Sequence, residues 1–146
     1  MAIFSSFDIS ASGMTAQRLR SDTISQNLAN VNTTSTSDGG AYVRKTVVFS
    51  ERQGASFDQV LSTTSGLVGN GVKVTGIVED TSTAMNKVYD PSHPDADEDG
   101  YVTYPNVNTV TEMTNLIDAS RAYEANVTAF DAAKSMALKG LEIGNN

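Results

Sequence analysis

From Val107 to Leu141 the chain runs 35 residues without a proline, and the only glycine in the stretch is Gly140. Nothing there stops a helix, and at 1.5 Å per residue such a helix extends roughly 50 Å. Read at alternating steps of three and four, it places Met113, Leu116, Ser120, Tyr123, Val127, Phe130, Lys134, Ala137 and Leu141 on one line, with Ile117 beside it. Seven of those nine are apolar or aromatic, the pattern of a helix that packs against other helices. The first thirty residues carry a second stripe of Ile3, Phe7, Met14, Ile24, Leu28 and Val31. Two long helical ends around a different kind of middle predict a chain completed by neighbouring subunits.

Composition points the same way. Leu, Ile, Val and Phe make up 32 of 146 residues, close to the ~20% below which disorder is expected. A net charge of −7 adds self-repulsion to that thin apolar content. The chain is therefore expected to fray at its ends when alone and to gain stability on assembly. Its acidity argues against nucleic acid as a partner, since phosphate binding needs clustered Lys and Arg, and the densest pair is Arg44-Lys45. With no cysteine, disulfides, zinc-thiolate sites and thiol nucleophiles are excluded. No run of ~20 apolar residues exists for direct membrane insertion. Ser5, Ser6 and Asp8 interrupt any apolar signal core. The chain is expected to be cytoplasmic, or exported by a route that reads no cleavable signal peptide.

The expected fold class is α+β. Two long N- and C-terminal helices form a coiled-coil-like bundle, and a small β-rich module lies between them. The boundaries fall at 1–31 for the first assembly helix, 32–106 for linker and module, and 107–146 for the second helix. Polar Ser10, Gln17 and Ser21 occupy seam positions in the first helix; either they set register between packed helices, or the helix kinks near Gly13. Asn32 to Gly40 is rich in Thr, Ser, Asp and Gly, residues that bond their own backbone or accept positive φ, and reads as a linker. Strands are predicted at Tyr42 to Phe49, around Val72, Val74 and Val78 after the turn Gly69-Asn70-Gly71, at Met85 to Tyr89 and at Tyr101 to Tyr104. Ser56 to Ser62 reads as a short helix or an irregular segment.

Asp95-Ala96-Asp97-Glu98-Asp99-Gly100-Tyr101-Val102 follows the first eight positions of an EF-hand calcium loop. Position 12 should be a bidentate Glu and is Asn106, while Pro105 obstructs an exiting helix. A solvated acidic turn is the better reading, and no metal site is expected. Gly69-x-Gly71 lacks the third glycine and the following helix of a nucleotide loop. The one histidine, His93, lies between Pro91 and Pro94 on a loop, a poor platform for a Ser-His-Asp triad. Glu112 and Asp118 lie on a helix with partner-facing residues and suggest no pocket. No catalytic residue and no cofactor are expected. In Ser120-Arg121-Ala122-Tyr123-Glu124-Ala125-Asn126, Ala122 and Ala125 permit close helix approach, while Arg121, Glu124 and Asn126 supply polar specificity.

Thr114 to Asn126, reading TNLIDASRAYEAN, resembles the terminal helix of bacterial flagellar rod and hook axial proteins. Ser25-Gln26-Asn27-Leu28-Ala29-Asn30-Val31-Asn32-Thr33-Thr34 resembles the end of their first helix. Tyr89 to Asp95, Gly100 to Val102, Tyr104 to Asn108 and Gly39 to Tyr42 are similar to the proximal-rod C-type branch. The short middle suits a rod subunit better than a hook or distal-rod subunit. The resemblance implies a structural subunit of the proximal rod, the axle that passes motor torque outward. It also implies export unfolded through the flagellar type III apparatus to the basal body, periplasmic and without a cleavable signal peptide. Expected partners are other rod proteins and copies of itself in a helical assembly. The stripes nominate an assembly interface of Phe7, Met14, Ile24, Leu28, Met113, Leu116, Ile117, Tyr123, Val127, Phe130 and Leu141. The rival readings are a secreted calcium-responsive binding module using Asp95 to Asp99, and a cytoplasmic coiled-coil scaffold.

Overall fold

A computed structural model of the chain describes residues 2–37, 39–52 and 70–144, with side chains from residue 4. The chain is α+β. Helix α1 spans Ala2–Ala29 and helix α2 spans Thr109–Gly144; between them lie β1 (Lys45–Glu51), β2 (Val72–Glu79), β3 (Asn86–Tyr89) and β4 (Tyr101–Tyr104). The predicted segment 56–62 falls outside the described residues. Helix α1 ends two residues before Val31, and α1 runs unbroken through Gly13. Helix α2 is started by Asn108, whose carboxamide oxygen accepts the Thr111 N–H at 3.1 Å, an N-cap bond.

The two helices run antiparallel against each other. The Phe7 and Phe130 rings meet at 4.8 Å. Gly13 faces Asn126 closely enough that a Cβ there would overlap the carboxamide. Asn27 reaches Glu112 at 2.9 Å. The numbering thus falls along α2 in step as it rises along α1. The buried positions of α2 are Glu112, Ala119 and Ala133, and those of α1 are Ser10, Ala16, Thr23, Ile24 and Asn27, with Ala16 on the side where β2 lies and Thr23 and Ile24 beside β1. Small side chains let the helices approach closely, and the long rod packs with little apolar volume. Each helix covers the other's inner face, so the expected lack of partners applies only to what this seam leaves uncovered.

The middle is two separate antiparallel ribbons, β1 with β2 and β3 with β4, rather than one sheet. In the first ribbon, Val48 pairs with Gly76 and Phe49 with Val74, so Thr75 is the extra residue of a β-bulge. The ribbon lies along α1. Lys45 N–H donates to Asn27 Oδ1 at 2.9 Å, and Val72 N–H, on the residue opposite Glu51, donates to Ser12 Oγ at 3.1 Å. Six steps of strand cover about 20 Å and fifteen steps of helix cover about 22 Å, so both anchors are met at once.

Gly71 makes the second anchor possible. Its φ is +97°, and a Cβ there would strike Ser12 Oγ and lie 3.3 Å from Ile9 Cα. Gly71→Ala is expected to cost about 2 kcal/mol through the disfavoured dihedral and the clash. Urea unfolding of the purified chain measures it; unchanged stability would mean that the ribbon does not sit on Ser12.

Candidate assembly surface and its buried anchor

Where α1 ends, α2 begins and both ribbons attach, the chain buries a carboxylate. Glu112 lies in the first turn of α2 and is fully buried. Its Oε1 accepts from Arg44 Nε at 3.0 Å, Arg44 NH2 at 2.8 Å and Asn115 Nδ2 at 3.3 Å. Its Oε2 accepts from Asn27 Nδ2 at 2.9 Å. The Asn27 carboxamide is itself fully used: Nδ2 also donates to the Lys45 carbonyl at 2.8 Å, while Oδ1 accepts from Tyr42 OH at 3.0 Å and Lys45 N–H at 2.9 Å. Both carboxylate oxygens are hydrogen-bonded, Oε1 by three donors and Oε2 by one, and the helix N-terminus adds favourable field.

Asn106 and Asp80 extend the anchor into the ribbons. Asn106 Oδ1 accepts Arg44 N–H at 2.9 Å, and its Nδ2 donates to the carbonyls of Asp80 and Thr83 at 2.7 and 3.1 Å. Asp80 takes Ser82 Oγ at 2.6 Å and Thr83 Oγ1 at 2.9 Å, with Arg44 NH1 at 3.4 Å. Those hydroxyl bonds, Ser82 first, hold its carboxyl well below the usual carboxylate range. Burial, followed by the charges of Glu79 and Glu112, pushes the Tyr42 phenol up. Tyr42 therefore remains protonated and continues to donate to Asn27.

Glu112, which with Asp118 suggested no pocket, is the most enclosed charge among the described residues and lines a cleft beside α1 and β1, whereas Asp118 is exposed. Asn27, Tyr42, Arg44 and Asn106 were likewise absent from the expected site. Two hints stood in the sequence. Asn27 is a poor helix former set inside an otherwise helical end, and Arg44 is a charge within a β-rich run.

The nominated interface residues divide into two groups. Ile24 is buried, Phe7 and Phe130 pack on each other, and Met14, Leu28, Leu116 and Val127 are half-buried. By contrast Met113 is 55% exposed, Ile117 54% and Leu141 71%, with Tyr123 at the margin. The expected line through positions 113 to 141 runs along the flank of the seam, because Glu112, Ala119, Asn126 and Ala133 face α1 instead. Past Met136 there is no α1 left to cover α2, and Leu138, Leu141 and Ile143 stand open. Apolar surface left bare along a helix of this length marks an interaction surface. Within the 120–126 segment, Ala122 and Asn126 turn inward, while Arg121, Glu124 and Ala125 face out.

The acidic loop joins β3 to β4 as a hairpin connection, not as the link between two helices that an EF-hand needs. Asp97 Oδ1 accepts the N–H groups of Asp99 and Tyr101 at 3.1 and 2.8 Å, and Asp95 Oδ2 accepts from Thr34 Oγ1 at 2.6 Å. Gly100, at φ +80°, closes the turn beneath Tyr89. Among the described residues, no three His, Cys, Asp or Glu side chains stand close enough to share a metal ion. Asn106, the residue at the failed twelfth position, is instead the buried clamp between the ribbons. Replacing Asp95, Asp97 and Asp99 together with Asn is expected to leave swimming near normal, with or without a calcium chelator, because Asn makes the same turn bonds. Loss of swimming in that variant, matched by chelator-sensitive swimming in the parent, would assign the loop a calcium role.

Comparison with known proteins agrees with this geometry. Residues 7–35 match the family model described as "Flagella basal body rod protein". Residues 98–143 match the one described as "Flagellar basal body rod FlgEFG protein C-terminal". The chain is 48% identical to the flagellar basal-body rod protein FlgC of Bacillus subtilis, with 99% of both chains covered. It is 45% identical to the FlgC protein of Borreliella burgdorferi, over 98% of each. Against the same protein of Escherichia coli the identity is 41%, over 99% of each.

Proposed function

The chain belongs to the family of flagellar basal-body rod proteins, and from that premise we propose that it joins the proximal rod through its terminal helices, in contact with copies of itself. It is a structural subunit of the bacterial flagellar basal body, not an enzyme, and it assembles with other rod components. The observation that carries the proposal is the apolar surface of α2 that α1 leaves uncovered, on its outer side and past Met136. Met113, Ile117, Leu138 and Leu141 remain exposed after α1 has packed. A shaft under torsion needs many contacts between repeating subunits, and heterologous contacts along a helical lattice supply them.

In our reading the buried anchor fixes how the ribbons sit on the helix pair, so that each subunit presents the same shape to the lattice. Delivery runs through the flagellar type III export apparatus, unfolded, to a periplasmic position in the rod. The striped but alanine-seamed helices suit that route, since a thin core costs little to undo before export and is reinforced by neighbours afterwards.

Two measurements on isolated basal bodies test the proposal. Antibody against the chain should label the rod, and mass spectrometry of the incorporated chain should find its N-terminal segment uncleaved. Absence of the chain from basal bodies of swimming cells would overturn the rod role. A chain shortened at its N-terminus would overturn the export route alone.

A further inference from the structure

Beside the buried anchor, α1, β1 and the start of α2 enclose a cleft of about 340 Å³. Ile24, Val47 and Phe49 line it with apolar surface, and Arg20, Arg44 and Lys45 bring three cations to it in a chain of net charge −7. Arg44 is consumed by Glu112 and Asp80. Arg20 and Lys45 are half-buried, and among the described residues no carboxylate comes within ion-pair distance of either. Glu79, the register partner of Lys45 across the ribbon, is exposed and makes no ion pair with it. Lys45 Nζ instead lies 5.7 Å from the centre of the Tyr42 ring. The cleft therefore sets an apolar patch beside two cations without an ion pair, while Glu112, Asn115 and two threonines complete its lining.

The complementary surface lies on the same chain. At roughly 100° per residue, Met113, Ile117, Glu124 and Asp131 share one side of α2. Asn115 and Ala119 lie on nearly the opposite side, toward the cleft and the seam. Met113 and Ile117 are exposed apolar groups, and Glu124 and Asp131 are exposed acids outside ion-pair distance of any cation among the described residues, with Glu124 at the edge of a groove that it shares with Arg18 of α1. Apolar residues followed by acids are what an apolar, cationic cleft accepts.

We propose that the cleft receives this side of α2 from a second copy of the chain, head to tail. Cleft and stripe face in opposed directions, so one subunit cannot satisfy both with the same neighbour. The contact is heterologous and propagates from copy to copy around or along the rod instead of closing a pair. This deepens the rod assignment and rests on it.

The absence of cysteine makes a cross-linking test clean. Thr46→Cys sits on the cleft, and Ser120→Cys sits on the stripe between Ile117 and Glu124. In basal bodies treated with a short bismaleimide, the chain with both changes is expected to give a ladder of multimers. Either single change alone is expected to give only monomer, and the two single variants expressed together should give dimer. Dimer from one single variant alone, or monomer only from the double variant incorporated in the rod, would overturn the proposal and leave the rod assignment intact. A charge swap reads the same contact without cysteines. Arg20→Glu with Lys45→Glu is expected to cut swimming at least tenfold, and adding Glu124→Arg with Asp131→Arg to that chain should restore most of it. Failure to restore would count against the pairing. Absence of the unaltered chain from basal bodies would instead remove the rod assignment.

Discussion

Glu112→Ala is expected to lower the stability of the purified chain by about 3 kcal/mol, because a buried charge would lose its partner. With Glu112 gone, Arg44 keeps only Asp80 at 3.4 Å and Thr46 Oγ1 at 3.1 Å. The remaining exposure of Arg44 holds the estimate at the lower end of the range for broken buried pairs. For a domain of this size the loss corresponds to a fall in Tm of about 10 °C. Glu112→Gln should recover little of it. The Asn27 oxygen is occupied by Tyr42 OH and Lys45 N–H, so Asn27 must present its NH2 group, and a glutamine NH2 opposite would set donor against donor. Replacing both ends, Arg44→Met with Glu112→Leu, should recover most of the stability, since well-packed apolar pairs often equal buried ion pairs. Thermal unfolding of the parent, Arg44→Met, Glu112→Leu and the double variant forms the cycle. A change below about 1 kcal/mol in Glu112→Ala would mean that the anchor is solvated.

The opposite behaviour is expected of the apolar surface of α2 that α1 leaves uncovered. Ile117→Asp and Leu141→Asp should leave the isolated chain as stable as the parent, within about 0.5 kcal/mol, because both side chains are already exposed. In the rod, each would bury an unpaired carboxylate at an interface, at a cost of several kcal/mol per contact repeated over every copy. Cells carrying either change are expected to produce the chain and fail to swim, with the rod truncated. Phe130→Asp does not separate these effects, since Phe130 packs on Phe7 within the subunit. Full swimming with Ile117→Asp and Leu141→Asp together would show that this surface faces solvent in the flagellum.

What could be read from the residues beforehand follows the range of the forces involved. The two helices were legible because proline and glycine are scarce there and the apolar period is local. Tyr101 to Tyr104 was legible as a strand from alternation alone, and the chain forms β4 there. The phase of the seam was not, because the large apolar residues dominate the pattern while the buried positions of α2 are Glu112, Ala119 and Ala133. Alanine contributes little hydrophobic signal but permits the closest approach, and of the conspicuous residues Met113, Ile117 and Leu141 stay exposed. The burial of Glu112 was not legible for a related reason. A glutamate in the first turn of a helix looks solvated, and its burial depends on Asn27, 85 positions away, and Arg44, 68 positions away. Nor does strand patterning reveal that the middle makes two ribbons, since Asn106 joins them through side-chain bonds that leave no periodic trace.

The central claim is that the apolar surface of α2 left uncovered by α1 is the face on which copies and neighbours assemble. Density of the isolated basal body at side-chain resolution tests it most directly. The account predicts α1 and α2 paired as in the single chain, with Met113, Ile117, Leu138 and Leu141 enclosed by helices of adjacent subunits. Density showing those four side chains facing solvent, with the subunits joined only through the ribbons, would contradict it.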